Sequence, residues 1–365
     1  ALMMSAPLLP IKPERDLYGG VLFHAGRFQR LRGYRLLRAT ECLAEVDVQS
    51  TDEWFGRYLP PDLLLGDPGA RDAGIHVVQA CIPHMTLVPV GAEQLRVYPG
   101  RREGPWSVHA RERSQEEDVF TYDVEVTDAG GQVVEQWKGL RLQVLERTDP
   151  TGPWAGPLIA PYVERRLREL GSAVSVVVAM GHEDRRVRSD RAMREATGGG
   201  HTLRRRPDGR PVGDGELCVS AAHAGNLTLA VAAPGAAACD VEVAAPTRAW
   251  QDLLGPERLA LARLTARETG EDLEVAATRV WAAGECLVKA GRTAATPLVL
   301  ESAAQDGWVL LGAGDLTLAT WAATTHDFEH PLVVAVLMRR NGCELMSTGT
   351  SWDLRRPTLS ATSTT

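Results

Sequence analysis

Residues 238–244 read ACDVEVA, which puts Asp240 and Glu242 two residues apart in a small, apolar stretch. On a strand both carboxylates point to one face, with Val241 and Val243 on the other. Two like charges there are unfavourable unless a cation joins them. A hard divalent ion such as Mg2+ suits such oxygen ligands; a solvated strand edge would also tolerate the pair. Farther along, Trp281, Glu285 and Lys289 recur every fourth residue, so on a helix they form one stripe with neighbours about 5–6 Å apart. Taken alone, Glu285 and Lys289 read as a surface ion pair worth a few tenths of a kcal/mol. Val280, Leu287 and Val288 make the same helix apolar, however, and a charged pair on a buried helix needs a reason. Asp240, Glu242 and Glu285 around one Mg2+, with Lys289 beside it, would supply one. Such a set handles phosphate or pyrophosphate, because metal and lysine together neutralise charge on a transferring phosphoryl group.

Arg185, Arg186, Arg188, Arg191, Arg204, Arg205, Arg206 and Arg210 cluster shortly before this region. They read either as a solvated basic face or, in a chain that is acidic overall, as a local anion pocket. His223, in SAAHAGN, stands at a strand-to-turn boundary where it could contact a phosphate or serve as a satisfied structural residue.

The elements that must position these groups fall into two regions. At 365 residues, two domains are expected. The stretch DPTGPWAGPLIAP, 149–161, concentrates Pro and Gly and marks the junction. Before it, ECLAEVDV, MTLVPV, FTYDVEVTD, QVVEQWKG and LRLQVLER read as strands, with a hairpin turn at DAGG. One helix is expected near GARDAGIHVVQACI, with Ile75, Val78, Gln79 and Ile82 on one face. After the junction, PYVERRLREL is an amphipathic helix, and AVSVVVAM, CVSAAHAG, LTLAVAA and ACDVEVA are strands. A long helical zone from about Pro256 to Ala290 stops at Gly291, and GWVLLGAGDLTLATWAA and PLVVAVLM add the last strands. The class is α+β. The Ser- and Thr-rich tail, 346–365, is expected to be disordered.

A formal net charge of −7 argues against nucleic acid, and no run of eighteen apolar residues suggests a membrane span. The opening ALMMSAPLLPIKPERD lacks the basic region and long apolar core of a signal peptide, and reads as the clipped start of something longer. Six scattered cysteines read as reduced thiols of a cytoplasmic protein.

The motif order RRVRSDR, DGRP (208–211), VSAAHAG (219–225), CDVEV (239–243) and WAAGECLVK (281–289) resembles a 4′-phosphopantetheinyl transferase over roughly residues 160–345. That resemblance implies two similar α+β halves with the site between them. The reaction would move the phosphopantetheine arm of coenzyme A onto a serine of an acyl carrier protein. Asp240, Glu242 and Glu285 would hold Mg2+ on the pyrophosphate, with Glu285 also the base, directly or through water. Lys289 would bind phosphate and assist the leaving nucleotide. Arg210 and His223 would hold the nucleotide phosphates, while Arg188 and Arg191 match the basic segment loosely. Two positions depart from the family: Ala222 stands where a Ser usually precedes the histidine, and Gly284 where a Lys often precedes the glutamate.

The first region resembles the second half of a polyketide synthase dehydratase. LYGGVLFHAGRFQRLRGY (17–34) looks like its linker and opening strand, GDPGARDAGIH (66–76) carries the pattern Pro68, Asp72, His76, and VVEQWKGLRLQVLE fits its last strands. The resemblance implies a hotdog fold, a curled antiparallel sheet around a central helix. In that family the chemistry uses a histidine from a preceding half. None is evident before residue 12, so Asp72 is expected to be an acid without its base; His24 and His84 are in range but carry no motif. The order of the two regions resembles the C-terminal end of enediyne iterative polyketide synthases. The expected layout is thus a hotdog half over 12–148, a linker over 149–161, a transferase domain over 162–345 and the tail. The exposed sheet edge of a lone half suggests a homodimer. Three functions compete: phosphopantetheine transfer; dehydration of carrier-bound 3-hydroxyacyl chains by Asp72 with a histidine supplied from outside; and a non-catalytic carrier-docking module.

Overall fold

The structure, a computed structural model, describes residues 6–48, 54, 66–98, 104–207, 209–246, 248–304 and 306–340. Asp208 of the DGRP turn and the tail 346–365 lie outside them. The first region opens with a one-turn helix, α1 (Pro13–Asp16). Its seven strands are β1 (Leu31–Leu37), β2 (Glu41–Val46), β3 (Met85–Gly91), β4 (Gln94–Val97), β5 (Trp106–Glu116), β6 (Val119–Thr127) and β7 (Val133–Arg147). They form one antiparallel sheet in the order β1-β2-β5-β6-β7-β3, with β4 also on β7. Register shifts interrupt β1/β2, β5/β6, β6/β7 and β3/β7. Each such irregularity bends its strand and increases the twist, so the sheet curls.

Helix α2 (Pro68–His76) lies in that curl. Pro68 at the first turn fits the fixed φ of proline, and the Asp67 side chain caps the helix by accepting from the Gly69 and Ala70 amides. At Gly74 the helix comes close to Val108 and Val126 of the sheet. The predicted face is present at Val78, Gln79 and Ile82, which are buried, but α2 ends at His76 and a 3-10 turn, Val77–Cys81, continues it. The buried Gln79 amide is satisfied by the chain that follows this turn: it donates to the Ile82 and Met85 carbonyls and accepts from Leu87 N–H at 2.8 Å.

The second region holds α3 (Ile159–Glu169), β8 (Ser175–Met180), α4 (Arg185–Ala196), the short pair β9 (Arg204–Arg205) and β10 (Pro211–Val212), and the strands β11 (Leu217–Ala224), β12 (Leu227–Pro234) and β13 (Ala237–Val243). There follow α5 (Trp250–Thr269), α6 (Leu273–Lys289), β14 (Val299–Ala303), β15 (Trp308–Ala313), β16 (Leu316–Thr325) and β17 (Phe328–Arg339). A three-stranded sheet, β11-β12-β8, carries α4; a five-stranded sheet, β13-β17-β16-β15-β14, carries α6, with α5 against α6.

The expected single helical zone is two helices. Gly270 (φ 75°) caps α5 in the left-handed region, and Gly255 (φ 67°) kinks it just before Pro256, a conformation only glycine adopts cheaply. Helix α4 has no clear apolar periodicity in the sequence: its charged residues hide a buried stripe of Arg188, Ser189, Ala192, Met193 and Ala196.

The Pro- and Gly-rich junction is packed. Trp154, Ala155 and Leu158 are buried, and α3 begins at Ile159. One continuous core runs from the first sheet through α3 into β8, β11–β13, β16 and β17. Arg165 of α3 is buried and donates to the Ala39 carbonyl, Glu112 and Gln115 of the first region. Arg38 reaches back to Ser175 Oγ and the Val176 and Glu195 carbonyls.

Candidate active site

Asp72 and His76 stand one turn apart on α2. The segment 23–30 lies beside them, because Gly69 admits it: a Cβ at Gly69 would be 2.5 Å from the Arg27 carbonyl oxygen. His24 thereby reaches Asp72, with Nε2 3.0 Å from Oδ2. His76 Nε2 is 3.7 Å from the other oxygen, Oδ1. The two histidine rings meet edge-on at 4.3 Å, and Phe23 stacks on His24 at 4.4 Å. Although His24 is close, Asp72 Oδ2 is buried and accepts no aligned hydrogen bond among the described residues. The Asp72 side chain as a whole is about one-third exposed (31%), while that of His24 is buried.

Burial holds the His76 pKa down at about 4, with His24 adding to the shift and Asp72 opposing it. His76 is therefore a neutral imidazole near pH 7. Behind the cluster is a gap of about 10 Å³ bordered by Leu22, Phe28, Leu31, Ala73 and Val77, room for one water at most. Among the described residues, His24, Asp72 and His76 are the one group of three whose donor atoms all lie within 4.8 Å of one another. His84 goes elsewhere: it is buried 4.9 Å from the Tyr162 ring. The sequence motif located Asp72 and His76 but not their contact with His24, which depends on the approach at Gly69.

A second cluster forms where α6 crosses β13. Asp240 is buried and Glu242 half-buried. Lys289 Nζ donates to Asp240 Oδ1 at 2.7 Å and to the Cys239 carbonyl at 2.9 Å. Asp240 Oδ2 is buried with no hydrogen-bond partner among the described residues. Burial raises the Asp240 pKa, Lys289 opposes the shift, and the charges of Glu242 and Glu285 add to it, so the three carboxylates are within electrostatic reach. They are not among the donor groups gathered within 4.8 Å. Arg248 pairs with Glu242, and Lys289 holds Asp240 directly instead of standing beside it. Gly284 has a specific neighbour: a Cβ there would lie 2.4 Å from Arg258 Nη1. The guanidinium of Arg258, on α5, thus fills the space beside Gly284.

Of the expected phosphate ligands, Arg188 is a strut. It is buried and donates to Thr228 Oγ1 at 2.6 Å and to the Gly181, Glu183 and Gly225 carbonyls. His223 has both ring nitrogens engaged, Nε2 with Ser189 Oγ at 2.9 Å and Nδ1 with Thr228 Oγ1 at 2.8 Å. Burial, with Arg185, Arg188 and Lys289 adding, lowers its pKa to about 4. It ties α4 to β11 and β12 as a neutral ring. Arg191 pairs with Glu183 at 2.7 Å, and Arg210 is exposed beside the β9–β10 turn. Arg186, Arg194, Arg204 and Arg205, with Asp190, border an open groove of about 290 Å³.

No helix among the described residues is long and apolar enough to cross a membrane. Cys42, Cys81, Cys218, Cys239 and Cys286 are free thiols.

Residues 6–152 match a protein family described as the polyketide synthase dehydratase N-terminal domain; the motifs alone had suggested a second half. No curated protein matches the sequence. Similar solved structures include the dehydratase domain of a mycocerosic acid synthase-like polyketide synthase, at 22% identity and TM-score 0.27 over 33% of this chain and 43% of that one. Another is the dehydratase domain of RzxB from Pseudomonas fluorescens, at 17% identity and TM-score 0.27 over 38% of this chain and 54% of that one. A third is the dehydratase domain of PpsC from Mycobacterium tuberculosis in complex with C12:1-CoA, at 20% identity and TM-score 0.30 over 38% and 55%. The chain spans less than half the length of the first of these. His24, Asp72 and His76 all lie inside the part of the sequence that matches the polyketide synthase dehydratase hotdog domain.

Proposed function

We propose that the first region dehydrates 3-hydroxyacyl chains carried by an acyl carrier protein of a polyketide synthase. One observation carries this reading: in the region that matches the dehydratase family, Asp72 presents a carboxyl directly against an imidazole. Asp72 protonates the departing hydroxyl. The test is to incubate the full chain with a 3-hydroxyacyl carrier protein and follow the loss of water by mass. Wild type should produce the enoyl carrier and Asp72→Asn should not; an Asp72→Asn variant with wild-type rate would refute the reading.

A second reading, transfer of phosphopantetheine from coenzyme A to a carrier serine, is favoured by the buried, unpartnered Asp240 Oδ2 beside Glu242, Glu285 and Lys289. An oxygen so placed, among carboxylates, suits a hard cation. Asp240, Glu242 and Glu285 would hold Mg2+, which when bound supplies positive charge at the pyrophosphate. Glu285 takes the serine proton, and Lys289 donates to the phosphate. The carrier belongs to the same or a related synthase, and the order of the regions fits an enediyne iterative synthase. Apo carrier, coenzyme A and Mg2+ with the full chain should yield a carrier heavier by one phosphopantetheine; no gain would exclude this activity.

A further inference from the structure

We propose that His24, Asp72 and His76 form a site for one divalent transition-metal ion, Zn2+ or a neighbour of similar ligand preference, bound by the two imidazoles and one carboxylate oxygen.

Imidazole nitrogen and a carboxylate oxygen together suit ions such as Zn2+, whereas Mg2+ and Ca2+ favour oxygen alone. Two ligands held about 2.0–2.1 Å from a tetrahedral ion are about 3.3 Å apart. Here Asp72 Oδ2 is 3.0 Å from His24 Nε2, and Asp72 Oδ1 is 3.7 Å from His76 Nε2. These separations fall on either side of the ideal, and one donor atom from each of the three residues lies within 4.8 Å of the others. No other three His, Cys, Asp or Glu among the described residues gather so closely.

Asp72 Oδ2 is buried and accepts no hydrogen bond among the described residues, although His24 Nε2 is 3.0 Å away. A nitrogen and an oxygen this close but not aligned do not satisfy one another. A cation set to one side of the line between them reaches both. A plain histidine–carboxylate hydrogen bond would need the alignment that is missing.

The scaffold gathers the three groups without an ion. Asp72 and His76 are one turn apart on α2, the spacing that puts two ligands on one helix face. His24 comes from the segment that Gly69 admits against α2. Its backbone carbonyl accepts from the Gln29 side chain at 3.1 Å, and Phe23 stacks on its ring at 21°. Both imidazole side chains are buried, and the carboxylate between them is the exposed member. The ion therefore enters past Asp72, and water completes its coordination on that side. A bound ion takes the carboxyl that dehydration needs, so metal and dehydration exclude one another; that consequence rests on the dehydratase reading, whereas binding does not.

The full chain is stripped with EDTA and desalted. Co2+ is the probe, read by the visible absorption of a four-coordinate ion, and Zn2+ is titrated calorimetrically. Excess Mg2+ is present throughout, so that an oxygen-only site such as Asp240, Glu242 and Glu285 is already filled. Wild type should bind one equivalent of Co2+, and Zn2+ should displace it. Asp72→Asn and His24→Gln should each weaken binding by about 10²-fold or more, since disturbing even the groups behind a ligand costs about 10–100-fold. Unfolding midpoints without metal check that both variants fold, and His76→Gln is the third variant should either fail. A wild type with no Co2+ band overturns the site, and so do folded variants that bind within about tenfold of wild type, because the ion then sits elsewhere. Dehydration of a 3-hydroxyacyl carrier protein is followed in EDTA and in saturating Zn2+. Turnover in EDTA that stops with Zn2+ supports both readings, and equal turnover in the two overturns the metal site. Metal binding as stated with no turnover under either condition overturns the dehydratase reading alone.

Discussion

His84 makes the stability of the junction sensitive to acid. Its ring is buried against Tyr162 of α3, and neither nitrogen has a hydrogen-bond partner among the described residues. Burial pushes its pKa down to about 3, and the charges of Arg166, Arg165 and Arg147 add to the effect. In the unfolded chain the same ring titrates near 6.5. Between those two values the unfolded chain binds the proton and the folded chain does not. Stability therefore rises with pH across that window, and is lost as pH falls below about 6.5. Integrating the linkage from neutral pH to pH 5 gives a loss of about 2 kcal/mol from this one ring. His84→Phe keeps an aromatic ring on Tyr162 and removes both the titration and two unsatisfied nitrogens. The variant should be at least as stable as wild type at pH 7.5, and should gain about 2 kcal/mol on it by pH 5. Urea unfolding followed by tryptophan fluorescence at several pH values measures this, since Trp154, Trp308 and Trp321 all cluster around Tyr162. His76 has the same sign of shift but is common to both proteins and cancels. Parallel pH profiles for wild type and variant would refute the argument.

Three further outcomes are expected. Gly69→Ala places a Cβ 2.5 Å from the Arg27 carbonyl oxygen; it should push α2 away from His24, cost about 1–3 kcal/mol in urea unfolding and reduce dehydration. Arg165→Ala strips the buried cation from Glu112 and the donor from the Ala39 carbonyl, and should cost about 3–5 kcal/mol in the same assay. Lys289→Met leaves the buried Asp240 without its cation; burial already raises the Asp240 pKa, so the destabilisation should shrink as the pH is lowered, because protonation relieves the lone charge.

What could be read in the sequence follows from how locally each feature is determined. The strands of the first region, α2 and the placement of Asp72 and His76 rest on alternation, a Pro at N1 and a four-residue spacing, all within a few residues of one another. The contact of His24 with Asp72 depends on a backbone approach between positions more than forty apart, permitted by the missing side chain at Gly69, and no local pattern encodes it. Arg188 shows the same limit. Its charge is visible in RRVRSDR, but the three carbonyls and the threonine hydroxyl that occupy it come from the segments around Gly181, Glu183, Gly225 and Thr228. Helix α4 did leave a signal in Asp184, which caps it through Arg186 N and Val187 N, ahead of a stripe partly made of arginine and serine. The break at Gly270 was legible as a glycine but not as a left-handed one.

The junction determines how the two regions relate. A Pro- and Gly-rich stretch usually marks a boundary that few contacts cross, yet here Arg38 and Arg165 donate across it in opposite directions. A guanidinium placed on backbone carbonyls cannot be given up cheaply, because those carbonyls and the cation itself would both be left unpaired. Tyr162 adds a fixed hub: its ring packs on His84 from the first region and on Trp308 and Trp321 from the second, and its hydroxyl accepts from Trp308 Nε1 at 2.9 Å. Motion between the regions would have to break these contacts together, so the orientation of the Asp72 cluster relative to the Asp240 cluster is part of the fold. If both clusters serve one tethered carrier, the carrier must travel between them, because the scaffold that holds them does not bend at its proline-rich seam.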